Sequence, residues 1–463
     1  MKIKFIAAAC IALCSSSSFA VTLVCKTDTV ANMVNTCAPE AKLFVAGSSA
    51  LGGALSLVVA ADLFDTTTQP IIKITDAGPH GSAAVAPLAN AVSAWYGMSK
   101  AAVTGGTSKR LFVVYNKQNG SAAGVSQLLA KLGTVSEATV VSVGPIKGVA
   151  SACVADAAST ATVPVLNCPA AASIPTQADM AISDVAPQEL YKLYAAATAK
   201  LTTLASTPLA VQGFGVAVNA NLYAALQAVQ NTAGQPSIRR ADYASLVTKL
   251  GSIKSAGALL GNSDATVLTL DRRDDLSGTQ ASSNIFFADN ACGINHDAKG
   301  KVIAGVLGGA LDIIGAADST AALKVIENAQ GGQVTTDMNL NVGYAIGAIG
   351  LGSVPTTGAT TWKFVKLDGV SPNFNADGSA ADHQRSTFAS GAYPFAMTAF
   401  AVTPVKKSAN ADTNLLIAAV TAGLANGGQH NLTGIAYLSG TTDATKLSLV
   451  HRTAGNNCSP LIK

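Results

Sequence analysis

Three times in this chain a short β-like run ends in a loop of small hydroxyl-bearing residues and glycine, and an apolar helix-like run follows. The first unit is Lys42-Leu43-Phe44-Val45-Ala46, then Gly47-Ser48-Ser49, then ALGGALSLVVAADLF. The second is Leu111-Phe112-Val113-Val114-Tyr115, a polar turn through Gly120-Ser121, then AAGVSQLLAKL. The third is TVLTLD, a charged loop ending in Ser277-Gly278-Thr279, then SNIFFADNA. Strand, tight loop and helix in alternation are the building unit of an α/β fold with mainly parallel sheets. Further strands are expected at Ala181-Ile182-Ser183, GFGVAVN (213–219) and YPFAMTAFAVTP (393–404). Helices are expected at DSTAALKVIENA (318–329) and TNLLIAAVTAGLANGG (413–428).

A chain of 463 residues with 49% hydrophobic content can bury a large core without disulfides or metals. Its N-terminus, MKIKFIAAACIALCSSSSFA, has two lysines, an apolar run of about ten residues, and Ser18-Phe19-Ala20. These are the three regions of a secretory signal, so cleavage after Ala20 and a periplasmic or extracellular location are expected. The apolar run falls short of the roughly 20 residues of a membrane-spanning helix. Loss of Lys2 and Lys4 leaves 28 basic side chains against 26 acidic ones. That balance gives no electrostatic footprint for nucleic acid or an anionic membrane.

Six cysteines remain after Ala20: Cys25, Cys37, Cys153, Cys168, Cys292 and Cys458. An even number in an exported chain favours disulfides, with connectivity open. Cys25–Cys37 and Cys153–Cys168 would close short loops, which leaves Cys292–Cys458 to tie the C-terminus to mid-chain. The stretch from Val140 to Thr176 reads as an inserted, disulfide-closed excursion. Cys-x-x-Cys is absent and the five histidines are scattered singly, so neither a metal nor a cofactor is expected. Each histidine reads as a surface or loop residue.

Only 12% of the residues are charged, yet five charges run consecutively from Asp271 to Asp275, just ahead of Ser277-Gly278-Thr279. Any one of the three small-residue loops can be a plain helix cap. Together they can do more. A helix N-terminus offers free N–H groups and about half a positive charge, so it favours anions. Arg273 adds a planar fork of donors for a tetrahedral oxyanion, and Asp275 can hold that fork.

At this point the chain resembles a family. Arg273-Asp274-Asp275-Leu276-Ser277-Gly278-Thr279 is similar to the Arg-x-Asp-x-Ser-Gly-Thr loop of the periplasmic phosphate-binding proteins of ABC transporters. Ala46-Gly47-Ser48-Ser49 resembles the family's first small-residue loop. Gly120-Ser121-Ala122-Ala123-Gly124-Val125 resembles its Gly-Ser-x-Gly-Gly-Val loop, and Ala181-Ile182-Ser183-Asp184-Val185-Ala186-Pro187 its Ala-Ser-Asp-x-Pro strand end. GFGVAVN and YPFAMTAFAV resemble its two crossover strands.

The resemblance implies an α/β, two-lobed type 2 periplasmic binding protein fold with two crossover strands. It places lobe one at about 21–215 with 393–463 and lobe two at about 216–392. It implies a monomer that captures phosphate or a similar oxyanion for ABC transporter membrane subunits, and no enzymatic activity. The implied ligand-binding residues are Ser48, Ser49, Ala50, Ser121, Asp184, Arg273, Ser277, Gly278 and Thr279, with Asp275 behind Arg273. Asp184 has the selective role: a carboxylate tolerates a bound anion that carries a proton, as phosphate does and sulfate does not. Asp184 read as a turn cap ahead of Val185 is the plainer alternative.

The chain departs from the pattern at Ser49-Ala50, where the family usually carries Thr-Phe, and in longer intervals between Ser49, Ser121 and Asp184. Two other readings compete. One is a surface or matrix protein that kept the fold and lost the ligand. The other is a secreted hydrolase, but the serine of Gly120-Ser121 is misplaced for a nucleophile elbow and no histidine follows in the usual order.

Overall fold

The computed structural model describes residues 39–67, 70–76, 92–117, 120–133, 154–155, 165–168, 177–190, 201–248, 252–273, 276–289, 311–316, 329–330, 333–334, 343–354, 361–374, 385–426, 430–439, 446–452, 457–459 and 461–462. The first strands and helices are β1 (Ala41–Gly47), α1 (Gly52–Val58), β2 (Ile72–Asp76), β3 (Val92–Met98), β4 (Arg110–Asn116), α2 (Gly120–Lys131) and β5 (Met180–Ser183). A long strand, β6 (Leu204–Asn219), leads to α3 (Ala220–Val229), α4 (Arg240–Val247), β7 (Leu268–Arg273) and α5 (Gly278–Ala288). Then come β8 (Leu311–Ala316), β9 (Tyr344–Gly350), β10 (Trp362–Phe364), β11 (Ala396–Pro404), α6 (Ala411–Ala425) and β12 (Ile435–Tyr437).

The main sheet path runs β8-β7-β9-β6-β11-β5-β1-β4-β3-β2. Two groups of the same design share it. In the first, β4, β1 and β5 are parallel, and β11 runs antiparallel between β5 and β6. In the second, β8, β7 and β9 are parallel, and β6 runs antiparallel between β9 and β10. β6 therefore belongs to both: Leu204 to Gly213 pair with β11, and Phe214 to Val218 pair with β9. The chain returns along β11. This is the expected α/β fold of two lobes with two crossover strands.

The alternation along β1 shows why the first sheet is sandwiched. Leu43 and Val45 face a core with Leu55 and Val58 of α1 and Leu416 and Val420 of α6. Ala46 faces the opposite core with Val125 and Leu128 of α2. Parallel strands covered by helices on both sides must be apolar on both sides. The second core continues through Phe214 of β6 into the other lobe. There Phe286 of α5 stacks on Phe395 with ring centroids 4.8 Å apart, beside the start of β11.

Several details differ from the sequence expectation. β6 begins nine residues before Gly213. Pro208, which has no N–H to donate, sits where the β6–β11 register shifts between Ala399 and Phe400. The first sheet is mixed, because β2–β3 and β3–β4 pair antiparallel. Within the expected excursion, Val165–Cys168 adds to that sheet alongside β2, and Val154–Ala155 pairs with it. α5 starts directly after Ser277, five residues before the apolar run suggests. The expected helix at 318–329 lies outside the described residues, apart from Ala329 in a short strand. His430 is not a surface residue: it is 9% exposed and pairs with Asp62 at 2.9 Å.

Cys458 is disulfide-bonded, while Cys25, Cys37, Cys153 and Cys292 lie outside the described residues. Native exported protein should show no free thiol on titration, and peptide mapping should recover Cys25–Cys37 and Cys153–Cys168 as linked pairs. Two or more reactive thiols would contradict the expected compartment.

Candidate functional site

β1 and β5 end side by side, with Gly47 in register with Ile182. Gly47 has φ +128°, and a Cβ there would lie 2.0 Å from the Ile182 carbonyl oxygen. Only glycine allows this turn. It lets the Ser48 N–H donate to the Ile182 carbonyl at 2.8 Å and turns the Ser48 side chain toward the residue after β5. That residue is Asp184. The Ser48 hydroxyl donates to Asp184 Oδ1 and accepts the Leu51 N–H at 3.1 Å. Tyr115, near the end of β4, donates its phenol to the Ser48 carbonyl and fixes the loop from behind.

Ser121, in the first turn of α2, makes the second contact. Its hydroxyl donates to Asp184 Oδ2 at 3.4 Å and accepts the Asp184 N–H at 3.2 Å. The turn after β5 is closed by Ser183, whose hydroxyl donates to the Val185 carbonyl. The Asp184 carboxylate is thus held by residues of other loops and is not a turn cap.

The other lobe supplies Arg273, the last residue of β7, and the start of α5. Ser277 caps α5, its oxygen accepting the Gln280 N–H at 3.3 Å. The Arg273 guanidinium is 1% exposed, and its Nη2 donates to Ser49 Oγ at 3.2 Å, from one lobe to the other. A second bridge joins the lobes where the Ala122 N–H donates to the Leu276 carbonyl at 2.9 Å. Gly278 lies at the closest approach. A Cβ there would lie 2.2 Å from Ser121 Oγ and 2.4 Å from Asp184 Oδ2.

Burial pushes the Asp184 carboxyl up to about 6, although the Ser48 hydroxyl, the Arg273 charge and the Ser121 hydroxyl all pull it down. One buried guanidinium, one buried carboxylate and small hydroxyls therefore face the start of two helices. Such a set can donate to a tetrahedral oxyanion from several directions and accept a single proton from it.

Ser48, Ser49, Ser121, Asp184, Arg273, Ser277 and Gly278 thus come together. Ala50 sits to one side, against the end of β9: a Cβ on Gly350 would lie 3.1 Å from its own. Thr279 is buried in the first turn of α5, but its hydroxyl has no partner and borders a small cavity beneath the loop. Asp275 lies outside the described residues. Two residues escape a sequence reading. Tyr115 carried no signal beyond its place at a strand end. Asp271 closes the run TVLTLD and opens the run of five charges, so nothing singles it out among them, although its two-residue offset from Arg273 puts both on one face of β7.

Among the described residues, no group of three or more His, Cys, Asp or Glu could hold a metal ion. Among them, no helix is long and apolar enough to cross a membrane.

No protein-family model matches the chain, and no curated protein matches it. Among solved structures it is similar to a candidate phosphate ABC transporter substrate-binding protein with bound phosphate from Clostridium perfringens. The two are 12% identical over 82% of this chain and 92% of that one, with a TM-score of 0.42. An ABC-type phosphate transport receptor from Vibrio cholerae is 13% identical over 82% and 93% of the two chains, with a TM-score of 0.38. PstS from Borrelia burgdorferi is 12% identical over 82% and 92%, with a TM-score of 0.32. The two-lobed α/β arrangement with two crossover strands follows from the strand order of the chain itself.

Proposed function

We propose that this chain is an exported solute-binding protein that captures phosphate, or a closely related oxyanion, between its two lobes. Lobe one comprises about 21–215 with 393–463, and lobe two about 216–392. The protein acts as a monomer outside the cytoplasm after cleavage near Ala20 and delivers its ligand to ABC transporter membrane subunits. It binds without catalysing a reaction. The observation that carries this reading is the convergence of Arg273 from one lobe with Ser48, Ser121 and Asp184 from the other, at the start of α2 and α5. Ser48, Ser49, Ala50, Ser121, Asp184, Arg273, Ser277, Gly278 and Thr279 form the proposed ligand shell, with Asp275 steadying Arg273.

Asp184 gives the proposal its selectivity. In a buried cleft an unpaired carboxylate beside an anion is costly. A protonated oxyanion relieves that cost by donating to Asp184, and sulfate has no proton to donate. Calorimetry on the wild type should show phosphate strongly preferred over sulfate above about pH 6, where Asp184 is ionised. Asp184→Asn keeps the shape, removes the charge and offers an N–H donor. It should narrow the gap, mainly by tightening sulfate. Equal competition by sulfate in the wild type would remove the selective role of Asp184. Binding of neither anion by the folded protein would favour the reading as a surface protein that lost its ligand.

A further inference from the structure

Beneath the cradle, on the lobe-two side, lies a second polar site. A cavity of about 10 Å³ is bordered by Asp271, Thr279, Tyr243 and Ser283, among others. It has room for one water. Both carboxylate oxygens of Asp271 are buried without a hydrogen-bond partner, and so is the Thr279 hydroxyl. Asp271 is 2% exposed. Its carboxylate lies flat against β9 because position 347 is glycine: a Cβ there would come within 2.8 Å of Asp271 Cβ and Oδ2. A buried polar group that finds no partner is rare and calls for an explanation.

The neighbours decide what fills this cavity. On β7 itself the charged neighbours are Arg272, which borders the cavity, and Arg273 two residues on. α4 contributes Tyr243, whose hydroxyl is pushed up by burial and by the Asp271 charge. α5 contributes Thr279, Gln280 and Ser283, and β9 contributes Ala348, none of which is charged. Two arginines and the positive end of α5 make the site hostile to a metal cation. A water suits it: it can donate to both oxygens of Asp271 and accept from the Thr279 hydroxyl.

We infer that Asp271 is a positioning residue for the anion cradle: through one water it orients the Thr279 hydroxyl, and its negative charge, when present, offsets part of the Arg273 charge that faces the cleft. This rests on the proposed oxyanion site. Burial pushes the Asp271 carboxyl up to about 7, against the pull of Arg273, so its charge changes near neutral pH. As pH rises through that value, Asp271 ionises and the cradle becomes less positive, so an anion is held less tightly.

The test compares wild type with Asp271→Asn, which keeps the shape and cannot ionise. Phosphate affinity is measured by calorimetry from about pH 6 to about pH 8, spanning the Asp271 transition. Phosphate and Asp184 titrate in both proteins, so their contributions cancel in the comparison. Wild type should lose roughly tenfold more affinity over this range than Asp271→Asn, the size of one partly screened charge interaction. Melts without phosphate give an independent reading. The folded Asp271 keeps a proton up to about 7, whereas the unfolded one releases it near 3.8. The stabilisation from this group is therefore full below about pH 4 and is lost as pH rises to about 7. The melting temperature of wild type should fall relative to that of Asp271→Asn as pH rises from about 5 to about 8.

Parallel affinity profiles with tight phosphate binding in both proteins would overturn this inference and leave the oxyanion site standing. Parallel melts would show that Asp271 does not titrate there, which also overturns it. Absence of phosphate binding by wild type at every pH would overturn the oxyanion reading, and the coupling with it. If Asp271→Asn does not fold, Asp271→Ser, neutral and smaller, makes the same comparison.

Discussion

Replacing Arg273 by alanine should cost phosphate affinity about a hundredfold. A charge-assisted hydrogen bond is worth roughly 1.5–3 kcal/mol. Each 1.4 kcal/mol is a factor of ten, so loss of both bonds of a planar fork is about two powers of ten or more. The setting points the same way. Arg273 is 1% exposed, reaches across to Ser49, and lowers the pKa of both Asp184 and Asp271. Without it, two buried carboxylates lose the positive charge that pulls their pKa down, and both should be protonated to higher pH. Arg273→Lys keeps a point charge without the fork and should fall between wild type and alanine. An alanine variant with an unchanged dissociation constant would remove Arg273 from the binding site, however well it packs.

The chemistry of this site was more legible in the sequence than its geometry. Gly47-Ser48-Ser49, Gly120-Ser121 and Ser277-Gly278-Thr279 announce themselves because each stands between a β-like run and a helix, and local pattern is what a sequence displays. That Ser48 and Ser121 both bond to Asp184 is a contact over 136 and 63 residues, which no spacing rule predicts. The extent of β6 was hidden for a different reason. Its first half includes Pro208 and exposed residues from Ala205 to Pro208, a composition that reads as a loop, and tertiary pairing with β11 overrides it. Asp271 was hidden by its surroundings. In TVLTLD it looks like the polar end of a strand, whereas Arg272 and Arg273 extend the strand and bury Asp271 beneath the loop. The mixed first sheet was hidden for another reason: Gly78-Pro79 and Pro87 mark a break between β2 and β3, but a break does not tell which strands pair or in which direction.

Gly278→Ala separates helix chemistry from lobe closure. Gly278 is the first residue of α5, and its backbone there is helical, so alanine fits the helix at least as well as glycine. Without phosphate the variant should therefore melt at the wild-type temperature or slightly above it. Binding should move the opposite way. In the closed arrangement the added methyl would sit 2.2 Å from Ser121 Oγ and 2.4 Å from Asp184 Oδ2. Neither group can swing aside freely, because Asp184 is held by Ser48, and Ser121 by the Asp184 N–H. Crowding of this kind costs typically 1–3 kcal/mol, about ten- to a hundredfold in affinity. It acts only when the lobes meet. The upward shift in melting temperature that phosphate gives the wild type should therefore shrink or vanish, while the ligand-free melt stays high. Small-angle scattering should then show the variant staying extended at phosphate concentrations that compact the wild type. If Gly278→Ala binds phosphate as tightly as wild type and compacts with it, the close approach of α5 to Ser121 and Asp184 is not the geometry in which the anion is held. A lower ligand-free melt would instead place the conflict within the resting fold and remove closure as its cause.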